Sequence, residues 1–424
     1  MNIVIFSNAP IKKITDALNL PFSPKEGWVS GAISMLQTTN SNIYYIFPQR
    51  KEKIILKGIV DNIRYYGYPK TKRYDWEFED AHQRVFTGIL KEIPNIDVIH
   101  VMGTEYGHSL SAVLAAEECG LLNKTAISIQ GLISYIARYT FADLPSKVIN
   151  GWTIRDIIRQ NNMRKSKETL ELRGKYEMEA LGKVGHIIGR TDWDRACTME
   201  INPNAKYHFC NETLRKEFYT GQWNYDKCDK HSIFVSQMYP SIKGFHYMLE
   251  ALDVIKRFYP DVKLHVTGES PLCNSWLDRQ KRSTYVNYIE KLIGKYHLEK
   301  QIEFHGILSA GEMKERYLSA NVFCSPSAIE NSPNSVGEAM MLGTPVVSSD
   351  VGGVKNLLIH GQDGYTYQHN APYMLAYYIM KLFEDVEACA TFSENARKHA
   401  QITHNEKNNL NAIMTVYKKI AEGI

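Results

Sequence analysis

Short runs of β-branched and aromatic residues alternate along the chain with longer segments in which apolar residues recur at helical spacing. This alternation is typical of parallel sheets covered by helices. The runs form two series, and a polar stretch at residues 211–230 separates them. We therefore predict an α/β protein of two doubly wound parallel-sheet domains, residues 1–215 and 216–404, which face each other across a cleft.

The first series predicts five strands, at residues 3–7, 43–47, 97–102, 126–130 and 186–189. Its helical segments lie near residues 28–37, 77–91, 108–119 and 153–182. The second series predicts six strands, at residues 232–236, 262–267, 302–305, 322–325, 345–348 and 365–367. Its helical segments lie near residues 243–258, 284–296, 310–319, 335–342 and 372–385. A final segment, residues 405–421, has a single apolar stripe, and we expect that helix to pack back on the first domain.

Composition and charge argue against several classes of protein. The 424 residues suit two or three domains, and the net charge of +4 lacks the basic excess of a nucleic-acid-binding protein. The seven cysteines occur singly, without a Cys-x-x-Cys pair, which favours a reducing cytoplasm and no zinc site. The amino terminus has no leader pattern and no apolar run reaches about 18 residues, so we expect a protein that is neither secreted nor membrane-spanning.

Candidate chemistry is concentrated at residues 325–353. A strand is predicted to end near Pro326, a polar loop carries Glu330, and a helix follows with Asn334 or Ser335 as its N-cap. The free N–H groups of a helix start can bind an anion, and a glutamate can accept hydrogen bonds from sugar hydroxyls. The pattern suits a phosphorylated sugar. A solvated loop carboxylate is the simpler interpretation of Glu330.

Glu338 has two interpretations that the sequence leaves open. It can bind a ligand, or it can complete a capping box with Ser335 by reaching back to a backbone N–H.

A second constellation surrounds Lys243. Apolar residues at Phe245, Met248, Leu249 and Leu252 form a helical stripe that places Lys243 in the first turn of the helix. The helix dipole disfavours a cation in the first turn. A lysine at that position is therefore easier to explain if it binds a phosphate. A flexible surface lysine is the alternative.

Together these residues resemble the retaining glycosyltransferases of the GT-B fold, specifically family 4. The resemblance rests on Glu330 and Glu338, on the segment A-M-M-L-G-T-P-V-V-S-S-D-V-G-G that follows, and on Lys243-Gly244. It covers the whole second domain, whereas the first domain matches only in layout, with G-W-V-S-G-A from Gly27 resembling a glycine loop that faces the donor diphosphate. The resemblance implies two Rossmann-like domains.

The resemblance also implies roles for individual residues. Glu338 would hold the ribose of a nucleotide, Glu330 the donor sugar, and Lys243 the charge on the departing diphosphate. The other implied donor contacts are Gly27, Gly268, Gly306, Ile307, Leu308, Asn331, Ser332, Asn334 and Ser335.

Two positions depart from the family pattern. Gln237 stands where relatives carry an arginine, and Arg190 is the candidate substitute for that second cation; its alternative role is an ion pair with Asp192 or Asp194. Gln130 stands where relatives often carry a histidine. A neutral amide can hydrogen-bond a hydroxyl but cannot exchange a proton near pH 7, which excludes a histidine base at this point.

No Asp-x-Asp pair lies in a suitable loop, so we expect no metal site and no required cofactor, with a nucleotide sugar, most often a UDP-sugar in this family, as the donor substrate. The acceptor would be a saccharide or a lipid-linked saccharide bound by the first domain. Residues 132–144 are apolar and aromatic, and residues 147–177 carry eight basic and four acidic side chains. One interpretation is that both segments contact the inner leaflet of a membrane. The alternative is that the aromatic segment is core and the basic segment is a solvated helix face.

Three functions follow. The first is a retaining glycosyltransferase in the biosynthesis of a cell-surface polysaccharide, lipid-linked oligosaccharide or glycolipid. The second is an isomerase similar to the GT-B sugar-nucleotide 2-epimerases. The third is a catalytically silent nucleotide-binding scaffold, which the glutamines at 237 and 130 keep open.

Overall fold

The computed structural model describes residues 1–21, 27–70, 72, 76–273 and 275–424. The chain divides into two compact units. Unit 1 consists of Met1–Tyr135, Leu170–Thr213 and His404–Ile424, and unit 2 consists of Ile136–Thr169 and Leu214–Thr403. Each unit is built on a largely parallel sheet, which confirms the predicted α/β class with two parallel-sheet domains.

The strands are β1 (Asn2–Phe6), β2 (Asn42–Gln49), β3 (Leu56–Val60), β4 (Ile63–Pro69), β5 (Val98–Met102), β6 (Thr125–Ser128), β7 (His186–Gly189), β8 (Lys206–Phe209), β9 (Asp229–Val235), β10 (Lys263–Val266), β11 (Ile302–Phe304), β12 (Ala320–Ser325), β13 (Val346–Ser349) and β14 (Tyr365–Tyr367). The helices are α1 (Lys12–Leu18), α2 (Gly27–Leu36), α3 (Asp80–Glu92), α4 (His108–Glu118), α5 (Ile133–Ile136), α6 (Ser146–Ile149), α7 (Ile154–Arg159), α8 (Met163–Lys183), α9 (Asp192–Ile201), α10 (Phe245–Phe258), α11 (Trp276–Gln280), α12 (Thr284–Lys295), α13 (Ala310–Ser319), α14 (Asn334–Leu342), α15 (Pro372–Glu384), α16 (Val386–Thr403) and α17 (Glu406–Glu422).

The sheet of unit 1 has the order β3-β4-β2-β1-β5-β6-β7-β8, and its strands pair in parallel except for the β3–β4 hairpin. Both faces of this sheet are covered. On β1, Val4 and Phe6 point into one apolar cluster, whereas Ile3 and Ile5 point into another. A strand buried on both faces reads as a continuous apolar run, which is why β1 is recognisable in the sequence.

The sheet of unit 2 has the order β11-β10-β9-β12-β13-β14 and is parallel throughout. The strand order reverses between β9 and β12, because β9 is followed outward by β10 and β12 by β13. In doubly wound sheets, ligands bind beyond the carboxyl ends of the strands at this reversal. A ligand-binding site is therefore expected at the loops after β9 and β12.

The stripe on α17 is buried in unit 1. Val416, Tyr417 and Ile420 lie in the same apolar cluster as Ile3 and Ile5. The Tyr417 hydroxyl also lies 2.6 Å from Nδ1 of His100, a buried histidine of β5. Helix α17 thus completes one face of the first sheet.

The predicted boundaries assign residues 136–169 to the first domain, whereas in the structure these residues belong to unit 2. Leu144 and Met163 are part of the unit 2 core. The Ala142 carbonyl accepts a hydrogen bond from the Tyr247 hydroxyl at 2.9 Å, and the Thr140 carbonyl accepts one from Ser241 Oγ at 2.7 Å. These contacts join residues that are about a hundred positions apart, which local spacing cannot reveal.

Two further sequence predictions need correction. The helix predicted near residues 153–182 is two helices, α7 and α8, because Gln160 adopts a left-handed conformation with φ of 49°. The predicted linker at residues 211–230 contains buried Phe218 and Trp223, and Trp223 Nε1 donates to the Ala320 carbonyl at 2.7 Å. Residues 214–230 of that segment are part of the unit 2 fold. Among the described residues, no helix combines the length and the apolar character needed to cross a membrane.

Candidate functional site

The loop after β12 leads into α14, whose first helical residue is Asn334 and whose N-cap is Pro333. The sequence predicts Asn334 or Ser335 as the N-cap, so that prediction is wrong and the helix begins one or two residues earlier than expected. Proline has no side-chain acceptor for the first-turn N–H groups, and Asn334 and Ser335 occupy positions whose N–H groups have no partner within a helix. This end of α14 suits an anion.

Lys243 and Glu330 form an ion pair at the strand-order reversal of unit 2. Lys243 Nζ lies 2.6 Å from Glu330 Oε1, and Ser327 Oγ donates to the same oxygen at 2.7 Å. Lys243 follows β9 in a short 3-10 turn just before α10, not inside the first turn of the helix. The structure thus joins the two constellations that the sequence singles out 87 residues apart.

Two glycines bring the loops that carry this pair into contact. Gly244 has a φ of 68°, and a Cβ at this position would lie 1.8 Å from the Pro326 carbonyl oxygen. Gly352 has a φ of 52°, and its Cβ would lie 1.9 Å from the Glu330 carbonyl oxygen. Only glycine combines this conformation with such close approach. Backbone packing therefore holds both side chains in place.

Glu338 is buried in α14 and does not cap the helix. Its Oε1 accepts hydrogen bonds from Arg215 Nε at 3.1 Å and Nη2 at 2.8 Å, and its Oε2 accepts one from the Tyr317 hydroxyl at 3.2 Å. The capping-box interpretation with Ser335 is therefore wrong. Burial raises the pKa of Glu338, and the adjacent Arg215 guanidinium opposes that shift.

The loops after β10 and β11 meet in a short backbone bridge. Gly268 N–H donates to the Gly306 carbonyl at 2.8 Å, and Gly306 N–H donates to the Gly268 carbonyl at 3.2 Å. Beyond the bridge, Ile307 is 89% exposed, and Leu308 is half-buried. An exposed isoleucine beside this backbone bridge offers an apolar surface on which a flat base could lie.

The remaining residues that the sequence predicts to contact the donor substrate lie in both units. Asn331 is buried in the loop before α14, with Ser332 half-buried beside it, and Gln237 is exposed after β9. Gly27 is the first residue of α2 in unit 1, and the residues before it, 22–26, lie outside the described part of the chain.

Arg190 and Gln130 form a polar cluster in unit 1 together with Glu212. Arg190 is only 5% exposed, its guanidinium pairs with Glu212, and its Nη2 donates to Gln130 Oε1 at 3.1 Å. Asp194 accepts the backbone N–H of Arg190 at 3.1 Å and belongs to the capping box of α9, so the guanidinium pairs with Glu212 and not with Asp194. Glu212 already neutralises the cation that we expected to replace the arginine absent at Gln237.

These side chains follow neighbouring parallel strands, and Glu105 follows β5 in the same way. Backbone N–H groups of Thr104 and Gly131 donate to the Glu105 carboxylate, both at 3.0 Å. Burial, reinforced by the nearby Glu177, raises the pKa of Glu105 to about 7. A cavity of about 70 Å³ in this unit is lined by Trp28, Arg190 and Glu212, among others.

Among the described residues, a cluster of metal-ligand type lies on the adjacent strands β10 and β11 of unit 2 and on the residue that follows β11. Atoms of His265, Glu303 and His305 lie within 4.8 Å of one another, and Nδ1 of His265 lies 3.0 Å from Nε2 of His305. In unit 1, His186 and His208 make the same cross-strand contact at 3.0 Å without a carboxylate. The repeated contact in a place with no third ligand identifies it as a packing feature of neighbouring strands.

The structure also distinguishes between the interpretations of residues 132–144. Leu132, Ile133, Tyr135 and Leu144 are buried, so much of this aromatic run is core.

Sequence reasoning missed Arg215, Tyr317, Glu212 and Glu105. The first three meet their partners only through the tertiary fold. Glu105 had a usable signal, because it follows the buried β5 at the carboxyl edge of the sheet.

Sequence similarity to a known family falls in unit 2. Residues 215–399 match the family described as glycosyl transferases group 1. YtcC of Bacillus subtilis (strain 168), which is named as a glycosyltransferase, is 27% identical over 190 residues, or 44% of this chain and 45% of YtcC. The match thus spans less than half the length of that relative.

Two solved structures share the fold across the whole chain. Sucrose-phosphate synthase from Thermosynechococcus elongatus superposes with a TM-score of 0.71 at 15% identity, covering 100% of both chains. HepE from Anabaena, in complex with UDP-glucose, superposes with a TM-score of 0.64 at 14% identity, covering 99% of this chain and 100% of its own.

Proposed function

We propose that the protein, whose residues 215–399 match the glycosyl transferases group 1, is a retaining glycosyltransferase. It moves a sugar from a nucleotide sugar to a hydroxyl of a saccharide or lipid-linked acceptor, in the biosynthesis of a cell-surface polysaccharide. The observation that carries the proposal is the Lys243–Glu330 pair beside the start of α14, at the strand-order reversal of unit 2. A cation, a carboxylate and a helix N-terminus are together suited to a sugar diphosphate.

In this proposal the donor lies along the carboxyl edge of the unit 2 sheet. The nucleoside base rests on Gly306–Leu308, and Glu338 accepts hydrogen bonds from the ribose hydroxyls. The Arg215 guanidinium favours the ionised form of the buried Glu338 carboxylate, which is the form that only accepts hydrogen bonds. The UDP-glucose complex of the structural neighbour HepE supports a uridine diphosphate sugar as the donor class.

Lys243 and Glu330 exchange partners when the donor binds. The ammonium turns to the diphosphate, and the carboxylate accepts hydroxyls of the sugar. As the glycosidic bond to phosphate breaks, about two negative charges develop on the leaving group, and preorganised positive groups stabilise them. Lys243 and the N–H groups of Asn334 and Ser335 supply that stabilisation, and no divalent cation is required.

Unit 1 supplies the acceptor contacts. Gln130 and Glu212 can hydrogen-bond acceptor hydroxyls, and Arg190 holds both side chains in position. Retention follows if the departing phosphate oxygen takes the acceptor proton on the face of the sugar that it leaves, which needs no protein base.

The proposal is tested by incubating the protein with a panel of nucleotide sugars and saccharide acceptors. Free nucleoside diphosphate together with a lengthened acceptor supports it. An altered sugar nucleotide identifies an isomerase, and binding without turnover identifies a scaffold, and either result overturns it.

A further inference from the structure

Helix α7 reverses the usual arrangement of polar and apolar side chains. Its Asp156 is completely buried, whereas Ile157 and Ile158 are 62% and 76% exposed. Ile154, one turn before Ile158, is also exposed. An isolated exposed apolar residue is ordinary, but a helical face of three isoleucines turned to solvent is not.

Polar contacts within the first turn of the helix satisfy the buried Asp156 carboxylate. Thr153 Oγ1 accepts the Asp156 N–H at 3.2 Å, and Asp156 Oδ2 accepts the Thr153 N–H at 3.2 Å, which is a complete capping box. Arg155 adds an ion pair to Asp156 at 2.8 Å. The side of the helix that carries Asp156 therefore faces inward, and its isoleucines face solvent.

Helix α11 and the start of α12 contact the first residues of α7 and the residues before it, and α11 adds exposed apolar side chains to this part of unit 2. Gln280 Oε1 accepts the Ile154 N–H at 3.3 Å, and a Cβ on Gly151 would lie 2.9 Å from Thr284 Cγ2. We name the exposed apolar residues of both segments the α7–α11 patch: Trp152, Ile154, Ile157, Ile158, Leu272, Trp276 and Leu277.

The patch stands in a positively charged setting. Residues 152–167 and 275–282 together contain eight basic and two acidic side chains. Ion pairs of Lys165 with Glu168 and of Arg279 with Glu290 reduce this excess without cancelling it. Arg159, exposed at the end of α7, lies next to Ile158 in the sequence.

We propose that the α7–α11 patch docks the protein on an anionic lipid bilayer. Isoleucine and tryptophan side chains enter the boundary between headgroups and acyl chains, and the surrounding lysines and arginines face the anionic headgroups. The charge excess selects an anionic surface. This surface differs from the buried run at residues 132–144, and it goes beyond the proposed transfer reaction.

Co-sedimentation with vesicles tests the proposal. The wild-type protein is expected to sediment with vesicles of phosphatidylcholine and phosphatidylglycerol, and far less with phosphatidylcholine alone. Ile157→Glu/Ile158→Glu should abolish sedimentation. Arg159→Gln should weaken partitioning about fivefold, the effect of one cation at an anionic surface. The matched control is Phe258→Glu/Ile402→Glu, which changes two exposed apolar residues of unit 2 outside the patch and should bind as wild type.

Three results would overturn the proposal. The first is that the wild type does not sediment with anionic vesicles. The second is that the Phe258/Ile402 control loses sedimentation as much as the Ile157/Ile158 variant does. The third is that light scattering shows a wild-type dimer that dissociates only in the Ile157/Ile158 variant. The last result would assign the patch to a second copy of this chain. The assay needs no turnover, so its failure is separate from failure of the proposed function.

Discussion

Glu330 and Glu338 lie eight positions apart and meet different cations. Glu330 pairs with Lys243 in a partly open position, whereas Glu338 pairs with Arg215 in a buried one. A buried carboxylate needs its partner, because losing it leaves an uncompensated charge. The ribose role and the structural role of Glu338 therefore make different predictions.

Glu338→Gln should weaken nucleotide binding by about 1–3 kcal/mol, since one charged acceptor for the ribose hydroxyls is lost. Arg215→Gln is the matched control, because it breaks the same ion pair but keeps the carboxylate. Calorimetric titration with UDP should show the larger loss in Glu338→Gln. Equal affinities in that variant and the wild type, with a lower melting temperature, would make Glu338 a structural residue.

Glu105 predicts a pH dependence of stability. Its pKa is raised to about 7 in the folded protein, so the folded state binds more protons than the unfolded state between the ordinary glutamate pKa and that value. Its contribution is full at low pH and is lost as the pH rises through about 7.

Glu105→Gln should remove this dependence. Between about pH 5 and about pH 8, the wild type should lose about 2–3 kcal/mol more unfolding free energy than the variant, as measured by urea denaturation. Parallel pH profiles of the two proteins would contradict the raised pKa.

At the scale of elements, the close contact between the loop before α10 and the loop after β12 depends on Gly244. Gly244→Ala should cost at least about 3 kcal/mol of unfolding free energy, because the new methyl group collides with the Pro326 carbonyl at a positive φ. Gly361→Ala provides the control, with φ of 74° and no heavy atom within 4 Å of the added Cβ. That change should cost only about 1 kcal/mol. Similar losses in both variants would show that the contact does not hold the Lys243 loop.

Strand and helix prediction succeeds where burial is continuous. The six strands of unit 2 are predicted within a few residues, and the clearest are β12 and β13, which are buried on both faces. The β3–β4 hairpin is missed, since its strands alternate exposed and buried positions around the turn at Asp61 and Asn62. The edge strand β8 is missed because it is largely uncovered.

At the scale of the whole molecule, local motifs predict Lys243, Glu330 and Glu338, but not the side chains that hold them. Arg215 lies 123 residues from Glu338, and residues 136–169 join a unit whose remaining sequence begins at Leu214. Such pairings depend on the path of the chain, which spacing along the sequence does not encode. The fold class is recognisable from the sequence because it follows from many repeated local patterns.

Release of nucleoside diphosphate from a UDP-sugar, measured for the wild type and for Lys243→Ala, tests the central claim most directly. The account predicts acceptor-dependent release by the wild type and a rate roughly 100- to 1,000-fold lower in the variant, because one charge-stabilising group is removed from the transition state. Unchanged circular dichroism would show that the variant is folded. Absence of release by the wild type with every donor and acceptor, or an equal rate in Lys243→Ala, would contradict it.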